Sequence, residues 1–213
     1  MTSLLDRVGF LVAPPFCWGC GALAPAHAPL CRSCRLELRW LGPEPVDLDG
    51  LCAWAPLAYD GPARSLVRGL KYRGAPSLAE PMAAAIAAGV PAAVLAPGDA
   101  LVAVPMHPGR LRKRGFNQAE RIAAALARRR GLELTDCLRR HGRSAHQVGR
   151  DRRERLEGQA GAFMVRPGAV PRRAVLVDDV ITTGSTLRAC AAALRGAGCV
   201  QVTALAYART PGR

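Results

Sequence analysis

The sequence predicts an α/β fold: a mostly parallel sheet flanked by helices, preceded by a small cysteine-rich unit. Three observations lead there. From residue 50 onward, segments with strand character alternate with segments of helical spacing, which is the signature of parallel strands joined by helical crossovers. The short apolar runs at 101–104 and 173–177 lack the polar alternation of a strand with one wet face, so they read as strands buried on both sides. Ahead of residue 45, four cysteines stand in two C-x-x-C pairs among prolines, with little room for regular structure.

The chain has 213 residues, enough for one α/β domain and a small appendage. Half of the residues are hydrophobic and 22% are charged, a balance that excludes a disordered chain. Aromatic residues make up only 5%, so the core is aliphatic. The net charge is +14, and of the 30 basic residues all but Lys71 and Lys113 are arginines. Such a surface attracts polyanions, whether nucleic acid, phosphorylated metabolites or acidic lipids. A chain this rich in Ala, Arg, Gly and Pro equally fits a GC-rich coding sequence.

No segment offers the roughly 20 unbroken apolar residues of a membrane span. The most apolar stretch, 81–104, is interrupted by Gly89, Pro91, Pro97, Gly98 and Asp99. The run at 8–13 is short for an export signal and ends at Pro14 and Pro15. The expectation is a cytoplasmic protein, whose eight cysteines serve as metal ligands or free thiols before disulfides.

In chain order, 1–45 forms the first unit, closing on a linker at 41–45. Residues 51–59 read as a strand that Pro56 places at an edge or bulge. A turn follows at Asp60-Gly61-Pro62, then a helix carrying Leu66, Val67 and Leu70 through Lys71, and a second helix over 78–88. After the strand at 101–104, stopped by Pro105, a helix spans 117–130 with Ile122, Ala125 and Leu126 on one face. Residues 139–160 are strongly basic and have no apolar face. A strand at 173–177, a helix at 184–196 and a strand at 200–207 complete the pattern.

Cys17-Trp-Gly-Cys20 and Cys31-Arg-Ser-Cys34 lie ten residues apart. Each pair sets two thiolates on one side of a tight turn, and together they make a tetrahedral four-sulfur site that suits structural Zn2+. Such a site folds a segment too small for its own core. A rubredoxin-like iron site and paired redox disulfides are the alternatives. Cys52, Cys137, Cys190 and Cys199 lack pair spacing and read as buried or free thiols.

The most informative stretch is 174–187. An apolar strand delivers Asp178 and Asp179 at its carboxyl end, where parallel α/β sheets bind ligands. The loop Thr182, Thr183, Gly184, Ser185, Thr186 then opens a helix. Hydroxyls, exposed N–H groups and the helix dipole together favour a phosphate. A glycine in such a loop lets backbone approach the phosphate. Carboxylates about one sugar ring away accept hydrogen bonds from vicinal hydroxyls, so the pattern points to a sugar phosphate. It has neither the GxxxxGK[ST] of a P-loop nor GxGxxG.

Residues 175–187 resemble the thirteen-residue motif of type I phosphoribosyltransferases that binds 5-phosphoribosyl-1-pyrophosphate (PRPP): apolar residues, two acids, two apolar residues, then T-T-G-x-T. Three further segments resemble signatures of the ComF competence-protein family. These are 59–64 with 70–74; 104–118, which reads Val-Pro-Met-His-Pro-Gly-Arg-Leu-Arg-Lys-Arg-Gly-Phe-Asn-Gln; and the arginine-rich 143–163, which ends in Gly-Ala-Phe. The third departs from the family pattern at His146-Gln147 and Gln159.

The resemblance implies a zinc ribbon and linker at 1–45 and a type I phosphoribosyltransferase-like domain at 46–213. It implies PRPP bound with Mg2+ and a link to uptake of transforming DNA. The phosphate, ribose and catalytic positions fall on Asp178, Asp179, Thr182, Thr183, Gly184, Ser185 and Thr186. The pyrophosphate loop falls on Pro105, Met106 and His107, with Arg110, Arg112 and Arg114 as counter-charges whose guanidinium forks suit phosphate oxygens. Asn117 and Gln118 read as caps of the next helix, and His107 as an ordinary loop histidine before a general acid. Residues 139–155 read as a flap or as a solvated loop, and Lys71 and Arg73 as surface ion-pair residues before phosphate ligands. Two functions follow. One is Mg-dependent transfer of ribose 5-phosphate to an unidentified acceptor with release of pyrophosphate. The other is a non-catalytic PRPP sensor that binds single-stranded DNA and other competence proteins, against which the scarcity of Trp and Tyr counts.

Overall fold

The computed structural model describes residues 16–25, 28–141, 162–166, 168 and 170–212. The strands are β1 (Val46–Asp47), β2 (Cys52–Trp54), β3 (Leu57–Ala58), β4 (Ala100–Ala103), β5 (Glu133–Leu134), β6 (Leu138–Arg140), β7 (Phe163–Val165), β8 (Arg173–Ile181) and β9 (Gln201–Arg209). The helices are α1 (Arg32–Leu36), α2 (Gly61–Tyr72), α3 (Ala79–Gly89), α4 (Pro108–Arg114), α5 (Gln118–Arg130) and α6 (Ser185–Gly196). Seven strands form one sheet in the order β1-β2-β9-β8-β4-β5, with β3 also beside β9. Only β1 and β2 pair antiparallel within it. Strands β6 and β7 make a separate antiparallel ribbon.

The expected parallel sheet flanked by helices is the observed architecture. The long strand β8 alternates its side chains between two cores. Val175 and Val177 pack with Leu66, Val67, Ile86, Ile122 and Leu126 of α2, α3 and α5. Ala174 and Leu176 pack with Leu187, Cys190 and Leu194 of α6 and with Leu138 and Phe163 of the ribbon. Because the side-chain period of a strand is two, this alternation sends Asp179 toward the α2 side and Asp178 toward the α6 side.

Several elements differ from the sequence reading. Asp60-Gly61-Pro62 is the start of α2 and not a turn: Asp60 is its N-cap and Pro62 sits in the first turn, where a missing N–H costs nothing. Pro56 does interrupt the strand, splitting it into β2 and β3. β8 does not stop at Val177 but continues through both aspartates to Ile181, held by β9 alone. The basic run after His107, for which the sequence predicted no element, is a helix, α4: the His107 side chain caps it and Gly115 closes it. The export-signal reading at 8–13, His146, Gln147, Gln159 and most of the arginine-rich segment lie outside the described residues.

The strand order places the site. β4 pairs with β8 only as far as Ala103 with Val177. Beyond that point the two connections part, β4 leading outward to β5 and β8 leading the other way to β9. This is a topological switch point, where diverging loops leave a crevice at the carboxyl ends of the strands.

The cysteine-rich segment packs directly on this domain. Cys17, Leu30 and Cys34 belong to the same apolar cluster as α2 and α3. The segment 41–45 is also tied down, with Leu41 donating to the Pro56 carbonyl at 2.8 Å and Trp54 Nε1 to that of Pro43 at 3.1 Å. Trp18 lies against Gly69 of α2, where a Cβ would fall 2.6 Å from Trp18 Cε3 and 2.7 Å from Leu78 Cδ1. Gly69→Ala is therefore expected to destabilise the protein by about 1–3 kcal/mol through overpacking. Urea unfolding should show a smaller loss when Gly69→Ala is made in a Trp18→Ala background, because one of the two clashes is gone.

Candidate functional site

The crevice between β4 and β8 holds a cavity of about 280 Å³, at the small end of the roughly 300–1,000 Å³ usual for ligand pockets. β8 and its loop contribute Asp178, Asp179, Thr182 and Thr186; the end of β4 contributes Pro105, Met106 and His107; α4 contributes Arg110. Tyr59, Lys71, Gln118 and Arg140 complete the polar wall.

Asp179 is held by Lys71. Lys71 Nζ lies 2.9 Å from Asp179 Oδ1, with the two side chains 21% and 4% exposed. The ammonium of Lys71 is pulled down by burial, but the charge and hydrogen bond of Asp179, helped by Asp178, more than reverse this and leave it above its ordinary value. The other oxygen, Asp179 Oδ2, is buried with no hydrogen-bond partner among the described residues. Asp178 is oriented differently: its Oδ1 accepts the Asp179 backbone N–H at 2.8 Å. Loss of solvation, then the neighbouring charge of Asp179, pushes its carboxyl up to about 8.

His107 complements this acceptor. Its Nδ1 accepts the Gly109 N–H at 3.1 Å, so the ring proton is on Nε2 in the neutral form. Nε2 is itself buried without a partner among the described residues. One cavity thus carries an unmet buried donor and an unmet buried acceptor. Each would cost about 1–3 kcal/mol if nothing ever filled the space between.

Opposite the aspartates, two guanidiniums share the wall. Arg140 lies over the Phe163 ring, 5.3 Å from its centroid. Burial, then the like charge of Arg110, lowers its proton affinity. Neither Arg110 nor Arg140 has an ion-pair partner among the described residues. Two guanidiniums on the wall of one cavity without an ion-pair partner are groups able to hold an anion.

The loop leading into α6 is set by its own hydroxyls and by a hairpin. Thr183 Oγ1 accepts the Ser185 N–H at 3.4 Å and lies 3.1 Å from Ser185 Oγ. Gly184 has φ 71°, and a Cβ there would fall 2.8 Å from Leu48 Cδ1. The space a side chain would take there is filled by Leu48. Arg188 of α6 pairs with Asp49, and Arg195 Nη2 donates to the Gly50 carbonyl at 3.2 Å. The β1–β2 hairpin is thereby latched to α6.

Of the residues expected here, Asp178, Asp179, Thr182, Thr186, Pro105, Met106, His107 and Arg110 meet at the cavity wall. Thr183, Gly184 and Ser185 form the outer turn. Arg114 lies aside, donating from Nη1 to Gln118 Oε1 at 2.5 Å, with its guanidinium 5.5 Å from the Tyr72 ring centroid. Asn117 caps α5, its Oδ1 accepting the Ala119 N–H and its Nδ2 donating to the Val104 carbonyl at 3.0 Å.

The second site is the cysteine cluster. The ligand atoms of Cys17, Cys20, Cys31 and Cys34 all lie within 4.8 Å of one another, positioned to hold a metal ion. Cys20 and Cys31 sulfurs are 3.8 Å apart. That is the edge, about 3.8 Å, of a tetrahedron with metal–sulfur bonds of about 2.3 Å. Burial pushes the Cys17 thiol up, but N–H hydrogen bonds from the chain around Cys20, Cys31 and Gly19 outweigh it and bring it down to about 6. Cys34 is pushed up by burial and by sharing protons with the other three thiols.

Comparison with known proteins bears on this geometry. No family model matches the chain. The chain is 30% identical to the DNA utilization protein YhgH of Salmonella typhi over 222 residues, which takes in 92% of this chain and 98% of that one. It is 35% identical over 116 residues to Competence protein F of Haemophilus influenzae, covering 52% of this chain and 50% of that protein. It is 32% identical over 108 residues to Competence protein ComFC of Streptococcus pneumoniae, covering 51% and 47%. The matched region spans about half the length of these last two relatives. The chain belongs to the ComF family.

Within this ComF chain, sequence reading missed Tyr59 and Arg140 and placed Lys71 at the surface. Lys71 had a signal of its own, being one of two lysines among 30 basic residues.

The raised Asp178 carboxyl has a consequence for stability. An unfolded aspartate titrates near 3.9, so between about pH 4 and 8 the unfolded chain ionises while the folded one resists. Stability tied to this group is whole below pH 4 and lost as pH rises through 8. Asp178→Asn is expected to raise the urea midpoint at pH 8 relative to wild type and to leave it nearly unchanged at pH 4.5.

Proposed function

We propose that the cavity between β4 and β8 binds PRPP with Mg2+ and that the protein transfers ribose 5-phosphate to an acceptor, releasing pyrophosphate. The observation that carries this reading is the pairing of unmet buried groups, Asp179 Oδ2 and His107 Nε2, in a cavity whose rim is the hydroxyl loop before α6. In this reading Thr182, Thr186 and the first N–H groups of α6 hold the 5-phosphate. Asp178 and Asp179 accept from the ribose hydroxyls, and the Asp179 carboxylate that pairs with Lys71 favours positive charge on the ring as pyrophosphate departs. His107, Arg110 and Arg140 neutralise the leaving group. Mg2+ supplies further positive charge on the pyrophosphate oxygens when bound. Lys71 holds Asp179 in place through the ion pair.

The cysteine cluster fits Zn2+ as a closed, structural four-thiolate site, in keeping with its spacing and its packing on α2. The relatives' names, competence and DNA utilization, support a role in the uptake or use of DNA. A PRPP sensor that binds single-stranded DNA without turnover uses the same cavity, and release of pyrophosphate separates the two.

Calorimetric titration with PRPP and Mg2+ tests the site. Alanine at 179 would strand Lys71 and cost about 3 kcal/mol of stability. Asp178→Asn with Asp179→Asn, which keeps an oxygen beside Lys71, is therefore the better probe. Thr182→Ala with Thr186→Ala touches no ion pair. Each pair is expected to weaken PRPP binding about 100-fold or more with the fold retained by circular dichroism. Wild-type affinity in both would overturn the assignment.

Elemental analysis tests the cluster. One zinc per chain is expected, lost in Cys31→Ser with a lower melting temperature, since metal binding is part of folding such a segment. A metal-free protein with four intact thiols and the same melting temperature would refute it.

A further inference from the structure

The turn that opens α6 is weakly fixed by its own groups. Thr182 and Thr183 are exposed, and Gly184 is the buried residue between them and the helix. The Ser185 N–H reaches Thr183 Oγ1 only at 3.4 Å, past the roughly 2.7–3.2 Å of a well-formed bond. What covers Gly184 comes from far away in the chain. A Cβ at 184 would fall 2.8, 2.9 and 3.1 Å from Leu48 Cδ1, Cδ2 and Cγ, so the branched end of Leu48 occupies that space. Leu48 also packs against the apolar cluster that holds Leu187 of α6.

The hairpin that carries Leu48 is held at this place by polar contacts. Leu48 donates its N–H to the Leu51 carbonyl at 3.0 Å, closing a two-residue turn over Asp49 and Gly50. Both turn residues have positive φ, 51° and 81°, as the tight turns that continue strand twist require. The Gly50 N–H is taken by Asp47 Oδ1 at 2.8 Å. Asparagine serves such a turn as well as aspartate does, so the turn alone does not account for the carboxylate at 49. That carboxylate pairs with Arg188 of α6. The Arg188 guanidinium is partly buried, and its Nε has no partner among the described residues, so Asp49 matters to its charge. Arg195, further along α6, donates to the Gly50 carbonyl at 3.2 Å.

We infer that Leu48 and Asp49 are positioning residues for the phosphate loop: from behind, the hairpin tip holds Gly184 where the hydroxyls and N–H groups around it meet a sugar 5-phosphate. The inference rests on reading this loop as the 5-phosphate cradle of the PRPP cavity. Neither residue lines that cavity, so neither touches the ligand. A cradle of hydrogen-bond donors loses affinity when its support lets it recede, because each bond weakens steeply as its geometry departs from ideal. The opposite wall, with His107, Arg110 and Arg140, is carried by the β4 loop, α4 and β6. The hairpin therefore acts on the 5-phosphate end of the ligand and not on its pyrophosphate end.

The test is calorimetric titration of the full chain with PRPP, ribose 5-phosphate and pyrophosphate, each with Mg2+. Leu48→Ala uncovers Gly184, Leu48→Ile keeps the volume, and Asp49→Asn keeps the turn while removing the ion pair. Leu48→Ala is expected to weaken PRPP and ribose 5-phosphate about tenfold, and pyrophosphate by less than about twofold. Asp49→Asn should show the same selectivity with a loss of about two- to fivefold, the range of a partly exposed ion pair. Leu48→Ile should stay within about threefold of wild type for all three compounds. Unchanged ribose 5-phosphate affinity in Leu48→Ala, where wild type binds that compound, overturns this inference and leaves the PRPP reading standing. Equal losses for ribose 5-phosphate and pyrophosphate also overturn it, because they report a general loosening of the fold. A wild-type protein that binds pyrophosphate but neither PRPP nor ribose 5-phosphate overturns the PRPP reading, and this inference with it.

Discussion

The ion pair between Lys71 and Asp179 is the constraint on which the rest of this site depends. A carboxylate in the interior of a sheet is tolerated only when paired. Here the partner comes from α2, over a hundred residues earlier in the chain. The pair fixes one oxygen of Asp179 and leaves the other unmet. It joins the helix layer to the central strand at the level where β4 and β8 separate. Asp178, one residue away and on the opposite face, has no cation of its own, and loss of solvation first, then the charge of Asp179, hold its proton. Two adjacent acids of identical chemistry are thus given different surroundings by the period-two geometry of a strand.

Legibility in the sequence followed the range of the interactions. The central strands, the helix opening at Ser185 and the cap at Asn117 are local patterns, and all were readable. So were the four cysteines and the aspartate pair. What was not readable depended on contacts between distant segments. The strand β8 runs past its apolar stretch to Ile181 because β9 continues to pair with it, and no local propensity says so. The basic stretch after His107 forms α4 because a histidine caps one end and a glycine in the left-handed region closes the other. Nothing in the order of arginines shows that Arg110 faces the cavity while Arg114 turns to Gln118. Lys71 was the instructive miss: a lysine on an amphipathic helix looks like a solvated charge until the strand beneath it is known to end in a buried acid.

The cysteine-rich segment and the α/β domain share a core rather than a flexible joint. Trp18 fills the space left by Gly69, and Cys17 and Cys34 are buried among the side chains of α2 and α3. α2 also carries Lys71, so one helix touches both the cysteine-rich segment and the acid at the end of β8.

The latch of Leu48, Asp49 and Gly50 onto α6 has a consequence for biosynthesis. Its contacts join residues as many as 145 positions apart. The hairpin is synthesised well before Gly184, Arg188 and Arg195, the residues it touches. Contacts of such long sequence separation form late and slowly. Until α6 has formed, the hairpin has no helix to grip, so the hairpin and the loop ahead of Ser185 take their places together.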